Sequence, residues 1–466
     1  MATLIYNVTD LQNMQNDLAG DYELANDIDA SATATWNWNA ERGVYEGFEP
    51  IGTAAYASQF TGSLDGRGYK ISGLYSNRAA TVALFAHADG ATIANLTLEN
   101  IDFISTGEHP HGASGLVHFA EWGMGVTVDA VHVSGQVTAT RNAAGLGGWV
   151  VDSVITNCSS SVTVTGTLGA GGLLYYVCDS TIEDSHSTGN VEAPDAGGFA
   201  RVIWTGVTVA RCYATGDVTT EYGGGFAQDV RGTVTDSYAT GDVIGGASGY
   251  VAGFTSQLDG RAERCFATGD VSGEYANGFV NDVGSTGVIE DCYARGNAYG
   301  IESASGFADW VHADGFVRRS YSTGAVTGGS SDIGGFIAYE WGGTPTIEDC
   351  FWDTQTSGQA TSAGGTGKTT AEMKQILTFS AWDIATSPVA RNDGYPFLSW
   401  EIGSSPVWLI TSAAIPDVPD SPRRTVDVED IITLQAIRNL QMSALGEFYI
   451  DEEGYVVYSS RYGRNP

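Results

Sequence analysis

The eight residues RCYATGDV, at 211–218, return as DSYATGDV (236–243), RCFATGDV (264–271), DCYARGNA (291–298) and RSYSTGAV (319–326). A fixed period of this length is the signature of a stacked-repeat architecture. Aligning the second residue of the motif gives Cys158, Ser185, Cys212, Ser237, Cys265, Cys292, Ser320 and Cys350, with steps of 27, 27, 25, 28, 27, 28 and 30. Val131 and Leu96 extend the series backwards with a looser match. A second landmark keeps the same phase. A glycine followed by an apolar residue recurs at Gly115-Leu116, Gly145-Leu146, Gly172-Leu173, Gly198-Phe199, Gly225-Phe226, Gly253-Phe254, Gly278-Phe279, Gly306-Phe307 and Gly335-Phe336.

Inside each unit, stretches such as VTVARCYA alternate apolar and polar residues and then break at TG or GG. This is the pattern of short strands and turns, with no helical period. One unit of about 27 residues has room for three short strands and cannot bury its own apolar face. Stacked units share a continuous core. Equivalent strands then pair ~4.8 Å apart, and about ten coils make a rod roughly 50 Å long. The expected fold is all-β, a right-handed parallel β-helix, with a small C-terminal helix and β-hairpin.

The repeat resembles that of bacterial and archaeal surface proteins carrying the short GLUG repeat, whose units read N-S/C-Y-A-T-G-x-V followed by G-G-F/L. YELANDID (22–29), Pro50-Ile51-Gly52 and FTGSLDGRGYKISGL (60–74) are similar to that family's N-terminal coils. FWDTQTSGQATSAGGTGKTTAEMKQ (351–375), with GYPFLSW (394–400), is similar to its closing segment. The resemblance covers residues 5–402 and implies the fold and an adhesin-like role. It divides the chain into N-terminal capping coils (1–75), repeats (76–350), a closing segment (351–410), a proline-bearing linker (411–425) and a helix-hairpin module (426–466). The last module is similar to small modules of tailed-virus tail proteins.

Charge narrows the partners. The net charge is −34, from 55 acidic against 21 basic residues, which repels a nucleic acid. Only three of the bases are lysines: Lys70, Lys368 and Lys374. An acidic, lysine-poor surface suits very high salt, where the screening length falls to ~3 Å. MATLIYNVTD lacks the basic start and apolar run of a secretion signal. No stretch is apolar for long enough to form a membrane helix.

Several motifs receive a structural reading. GGTGKTT (364–370) lacks the first glycine of a phosphate-binding loop, because Ser362 stands there. It is expected to lead into a capping helix, TAEMKQIL. The Cys/Ser slot asks for a small buried side chain, and no CxxC pair suggests zinc. The turn acids Asp217, Asp242 and Asp270 are expected to stabilise turns. Glu108, His109, His111 and His118 lie near an insertion without a recognised metal-ligand spacing. Asn7, Asn95 and Asn157 begin glycosylation sequons. His186, Tyr213, Tyr238, Phe266, Tyr293, Tyr321 and Phe351 form an aromatic column beside the slot. If the slot points inward, these rings point outward and stack. No cofactor and no metal is expected.

The segment after each Gly-Phe landmark varies from unit to unit. It is aromatic and polar, as a binding face would be. Its candidate glycan or receptor contacts are Trp122, Tyr175, Arg201, Trp204, Asp229, Asp282, Asp309, Trp310 and Trp341. The expected function is a non-enzymatic virion structural protein: a tail fibre, spike or capsid-vertex projection for host attachment. Residues 411–466 would contact other virion proteins or form a homotrimer, and the solenoid would meet a host surface glycan or glycoprotein. Neither nucleic-acid binding nor membrane insertion is expected. The alternatives are a cell-surface adhesin and a polysaccharide-degrading tailspike. The last would use carboxyl pairs such as Asp282 with Asp309 or Asp229 with Asp282.

Overall fold

A computed structural model describes residues 2–53, 58–108, 111–120, 124–379, 382–385 and 391–402, and the backbone of 446–450 and 456–460. The chain divides into two compact units, Met1–Gly367 and Lys368–Pro466. The first unit is a parallel β-helix. One coil reads Thr208–Ala210, Tyr213–Ala214, Val218–Gly224 and Ala227–Val230. Each strand pairs with its equivalent in the next coil, as in Val209↔Val234, Tyr213↔Tyr238, Val218↔Val243 and Asp229↔Gln257. The strands of the fourth position form a separate ten-stranded parallel sheet, from Phe85–His87 to Ile337–Trp341.

The coil therefore holds four strands where three were expected. VTVARCYA is two strands, because Arg211 between them has φ 55°. Asn95, Ala130, Asn157, Asp184, Asp236, Arg264, Asp291, Arg319 and Asp349 adopt the same left-handed conformation at the same place. Such a residue costs of order 1–2 kcal/mol unless it is Gly, Asn or Asp. Contacts between coils offset that cost. From Asp184 onward acid and base alternate along this corner. Arg211 lies on Asp184 at 2.8 Å through both nitrogens, Arg264 on Asp236 at 2.6 and 3.0 Å, and Arg319 on Asp291 at 2.6 Å twice. Two of the sequon asparagines sit at this corner too. The Asn95 and Asn157 amides donate to Asp65 and Asp129, while Asn7 caps the helix Val8–Gln12.

The corner turns the next residue inward, into the Cys/Ser slot. Cys158, Cys212, Cys265, Cys292, Ser185, Ser237 and Ser320 are fully buried. The slot has a polar logic beyond size. Ser237 Oγ donates to the carbonyl of Thr235 (2.7 Å) and accepts the amide of Cys212 from the preceding coil (3.1 Å). Cys292 does the same with sulfur, bonding the Glu290 carbonyl and the Cys265 amide. All six cysteines are free thiols.

The Gly-Phe landmark is also resolved into two causes. Phe199, Phe226, Phe254, Phe279, Phe307 and Phe336 form one buried stack, with centroids 4.6–4.8 Å apart. The preceding glycines stack backbone to backbone. A Cβ on Gly225 would collide with the carbonyl oxygen of Gly253, and the same holds at successive coils. At the TG turn a side-chain ladder runs along the rod. The amides of Asp217, Asp242, Asp270, Asn297 and Ala325 donate to Oδ1 of Asn190, Asp217, Asp242, Asp270 and Asn297, at 2.8–3.1 Å. The turn acids are thus rungs of this ladder.

At the start of the unit, Val8, Leu11 and Met14 join the core and cover it. In the second unit, Thr369 and Glu372 cap a short helix, Thr370–Met373, reciprocally. Ile384–Ala385 pairs with Phe397–Leu398, and Gly446–Ile450 with Val456–Ser460, both antiparallel. The linker at 411–425 and the helix at 426–445 lie outside the described residues. Among the described residues no helix is long and apolar enough to cross a membrane.

Candidate binding face

Along the ten-stranded sheet, the first and fourth residues of each strand point into the core, as Val280 and Val283 do. The second residue leans into the corner against the strand that precedes the Gly-Phe turn. Arg201 reaches Asp195 at 2.7 Å, Ser256 Oγ donates to the Tyr250 carbonyl at 3.2 Å, and Ser303 Oγ lies 2.5 Å from Asp309. The third residue, such as Asp282 or Trp310, lies on the outer side of the sheet, where Arg231 covers Asp229. The face is thus a polar corner between two outer rows.

One outer row is Tyr222, Tyr250 and Tyr275. Their rings stack with centroids 5.4 and 4.3 Å apart and planes within 9°. The stack hides its own ring faces, so only its ends offer a face to a ligand. At the Tyr275 end the next residue in register is Ser303, followed by Asp332. Ser303 is buried, so the ring stack ends at Tyr275. Trp310 closes one side, tilted against Tyr250 and Tyr275 at 5.8 and 5.6 Å. Trp341 follows Trp310 at 6.4 Å and is 54% exposed, beside Tyr339 at 6.0 Å.

The residues expected to make contacts separate into groups. Trp122 lies outside the described residues. Tyr175 is buried, with the Arg201 guanidinium 5.3 Å from its ring centre. Trp204 carries Arg231 over its ring at 4.0 Å, and Arg231 bonds Asp229, which is also buried. Asp282, Trp310 and Trp341 gather at the Tyr275 end. His312 Nε2 lies 3.1 Å from Asp282 Oδ1. Asp309 is a correction to the surface reading. It is fully buried, because the second strand position turns into the corner. Burial pushes its carboxyl up to about 7, against the Ser303 hydrogen bond. Burial also raises Asp229 and Asp282, opposed by Arg231 and His312 respectively.

The tyrosine row is not among the residues expected from the sequence. Its signal was present: Tyr222, Tyr250 and Tyr275 each stand four residues before the landmark phenylalanine. The column beside the slot does stack, from His186 to Tyr321 at 4.4–5.0 Å. Tyr293 and Tyr321 are buried, so it is no continuous open face. His118 is buried and His111 bonds Thr81, while His109 lies outside the described residues. Among the described residues no group of three His, Cys, Asp or Glu is placed to hold a metal ion.

No protein-family model matches the chain. It is 37% identical over 166 residues to "Halomucin" of Haloquadratum walsbyi, a match covering 34% of this chain and 2% of that protein. It is 37% identical over 87 residues to a "Putative Gly-rich membrane protein" of Evansella cellulosilytica, covering 18% of this chain and 10% of the other. The chain thus spans a small fraction of the curated relatives it matches. Among solved structures, a "putative immunoglobulin A1 protease" from Bacteroides ovatus aligns over 86% of this chain and 92% of that one, at 15% identity and a TM-score of 0.26. A likeness at that score carries no argument.

Proposed function

We infer that this chain is a surface-displayed, non-enzymatic solenoid of a salt-adapted microbe, and that it binds carbohydrate where the tyrosine stack ends. The observation that carries this reading is the aromatic cluster where the stack ends, with Trp310 against Tyr275 and the exposed Trp341 beside Trp310. An aromatic face with polar groups beside it suits a sugar, whose ring offers C–H groups on one side and hydroxyls at its rim. The lysine-poor acidic surface and the partial match to Halomucin support a cell-surface setting in high salt. The partial match to Halomucin is the reason the adhesin-like setting is preferred to the virion role.

The test is binding of cell-surface polysaccharides to the immobilised protein in molar salt. Tyr275→Ala is expected to weaken binding by about tenfold or more, with circular dichroism unchanged. Binding that is indifferent to this change, and to Trp341→Ala, would sink the reading.

A further inference from the structure

The corner beneath Trp310 departs from the rest of the face. In register, Gly171, Gly197 and Gly224 are followed by Ala252, Asn277 and Ser305. Glycine or alanine thus gives way to polar side chains in two neighbouring coils. Asn281 and Asp309 stand beside them at the second strand position. All four are at most 1% exposed.

Some of their hydrogen-bonding capacity is used. Ser305 Oγ donates to Asn277 Oδ1 at 2.6 Å, and Ser303 Oγ lies 2.5 Å from Asp309 Oδ1 and 2.9 Å from the Asp332 carbonyl. Four atoms have no partner: Asn277 Nδ2, both Asn281 amide atoms, and Asp309 Oδ2. Each unpartnered buried polar group costs the folded state free energy. From Ala144 to Ala252 the same register position is held by alanine or glycine at no such cost, and the one earlier polar residue, Ser114, bonds the Val117 carbonyl.

Trp310 is what shuts the corner. It projects from the outer row, one coil beyond Asp282, yet its ring lies against Tyr250 and Tyr275 in the opposite row. To span the two rows it must cross above the second strand position, where Asn281 sits. Rotation of an outer side chain such as Trp310 is a motion fast on the scale of binding.

We propose that Trp310 is a movable roof over a specificity pocket, in which Asn281, Asn277 and Asp309 bond the hydroxyls of one neutral sugar ring stacked on Tyr275. Donors and an acceptor converge there, and His312, on the strand that carries Trp310, is paired with Asp282. Arg201, in an earlier coil, is paired with Asp195, and Asp282 and Asp332 flank the end of the row. The pocket therefore suits an uncharged hydroxyl pair and disfavours a uronate or sulfate. This rests on the carbohydrate reading above and sharpens it to a sugar class and to residues beneath the surface.

The experiment uses the full chain in molar salt, with 5-fluorotryptophan incorporated and the Trp310 fluorine signal assigned through Trp310→Phe. Glucose, galactose, mannose and glucuronate are titrated separately, alongside the polysaccharide assay. The expected result is a shift of the Trp310 signal with at least one neutral sugar and none with glucuronate. Asn281→Leu, close in size, should weaken that binding by about tenfold or more. Asp309→Leu serves the same end if the first variant fails to fold. Polysaccharide binding that persists unchanged in these variants, with a silent Trp310 signal, overturns the pocket and leaves the groove reading standing. Loss of every carbohydrate interaction in the native chain overturns both.

Discussion

The amide of Cys212 donates to the hydroxyl of Ser237 in the following coil, at 3.1 Å, and that hydroxyl in turn donates to the Thr235 carbonyl. From Cys158 onward, a side chain in this slot therefore supplies one polar hydrogen and one lone pair in a small volume. Serine and cysteine meet this requirement; alanine fails it. Ser237→Ala is expected to cost about 1–3 kcal/mol, because a buried amide loses its partner. Ser237→Cys should cost less. Equilibrium denaturation of the two variants checks the difference.

The glycine ladder should tolerate no side chain. Gly225→Ala drives a Cβ into the Gly253 carbonyl oxygen, and the stacked backbones cannot part without separating the coils. A loss above about 3 kcal/mol is expected, the range of severe core disruption. Gly246→Ala is the control. Its Cβ would meet nothing closer than Glu221 Cγ at 3.9 Å, and its melting temperature should barely move.

Salt should separate two kinds of ion pair. Asp291 and Arg319 keep only 8% and 18% of their side chains exposed, and Glu290 beside them meets Arg261, Arg318 and Arg319. Asp291→Asn should destabilise the protein by about 1–3 kcal/mol and do so still in molar salt, because burial shields the pair. The Glu23–Arg67 pair is 38% and 50% exposed, and Glu23→Gln should cost less than about 0.5 kcal/mol. Denaturation at low and high salt reads both.

Two buried groups pull stability in opposite directions with pH. Asp309 is raised to about 7, so its contribution is complete below about pH 4 and is lost as pH rises through 7. His118 is lowered to about 3 by burial and His87 to about 4, so theirs is complete above about pH 6.5 and is lost as pH falls towards those values. Asp309→Asn should flatten the alkaline fall in melting temperature and leave the acid fall in place. His118→Asn should do the reverse. A parallel pH profile in either variant would refute the assignment.

The two repeat landmarks were enough to read the parallel β-helix, because one side-chain type recurs wherever one steric demand recurs. The slot, the Phe stack and the glycine ladder are of this kind. The left-handed corner was not legible, because Asp, Asn and Arg there share no common side-chain property; only their backbone angle is common. Trp310 and Trp341 were found as part of a variable surface. The depth of Asp309 was missed, since alternation predicts sides of a strand and does not mark a position that turns into a corner. The Tyr222, Tyr250 and Tyr275 row was spelled out in the repeat and read past.

The ladder from Asn190 to Ala325 has a consequence for how such a protein can change. Every rung is held by the rung before it through the same bond, so no rung is indispensable to the rest. Cutting out the span from one turn to the next would bring Asp217 under Asp270 in place of Asp242, with an identical partner waiting. Reach then becomes a quantity that duplication or deletion of coding units can lengthen or shorten in increments of ~4.8 Å. Coils outside the span from Tyr222 to Trp341 could be added or removed in this way without altering the aromatic cluster at the end of the tyrosine row.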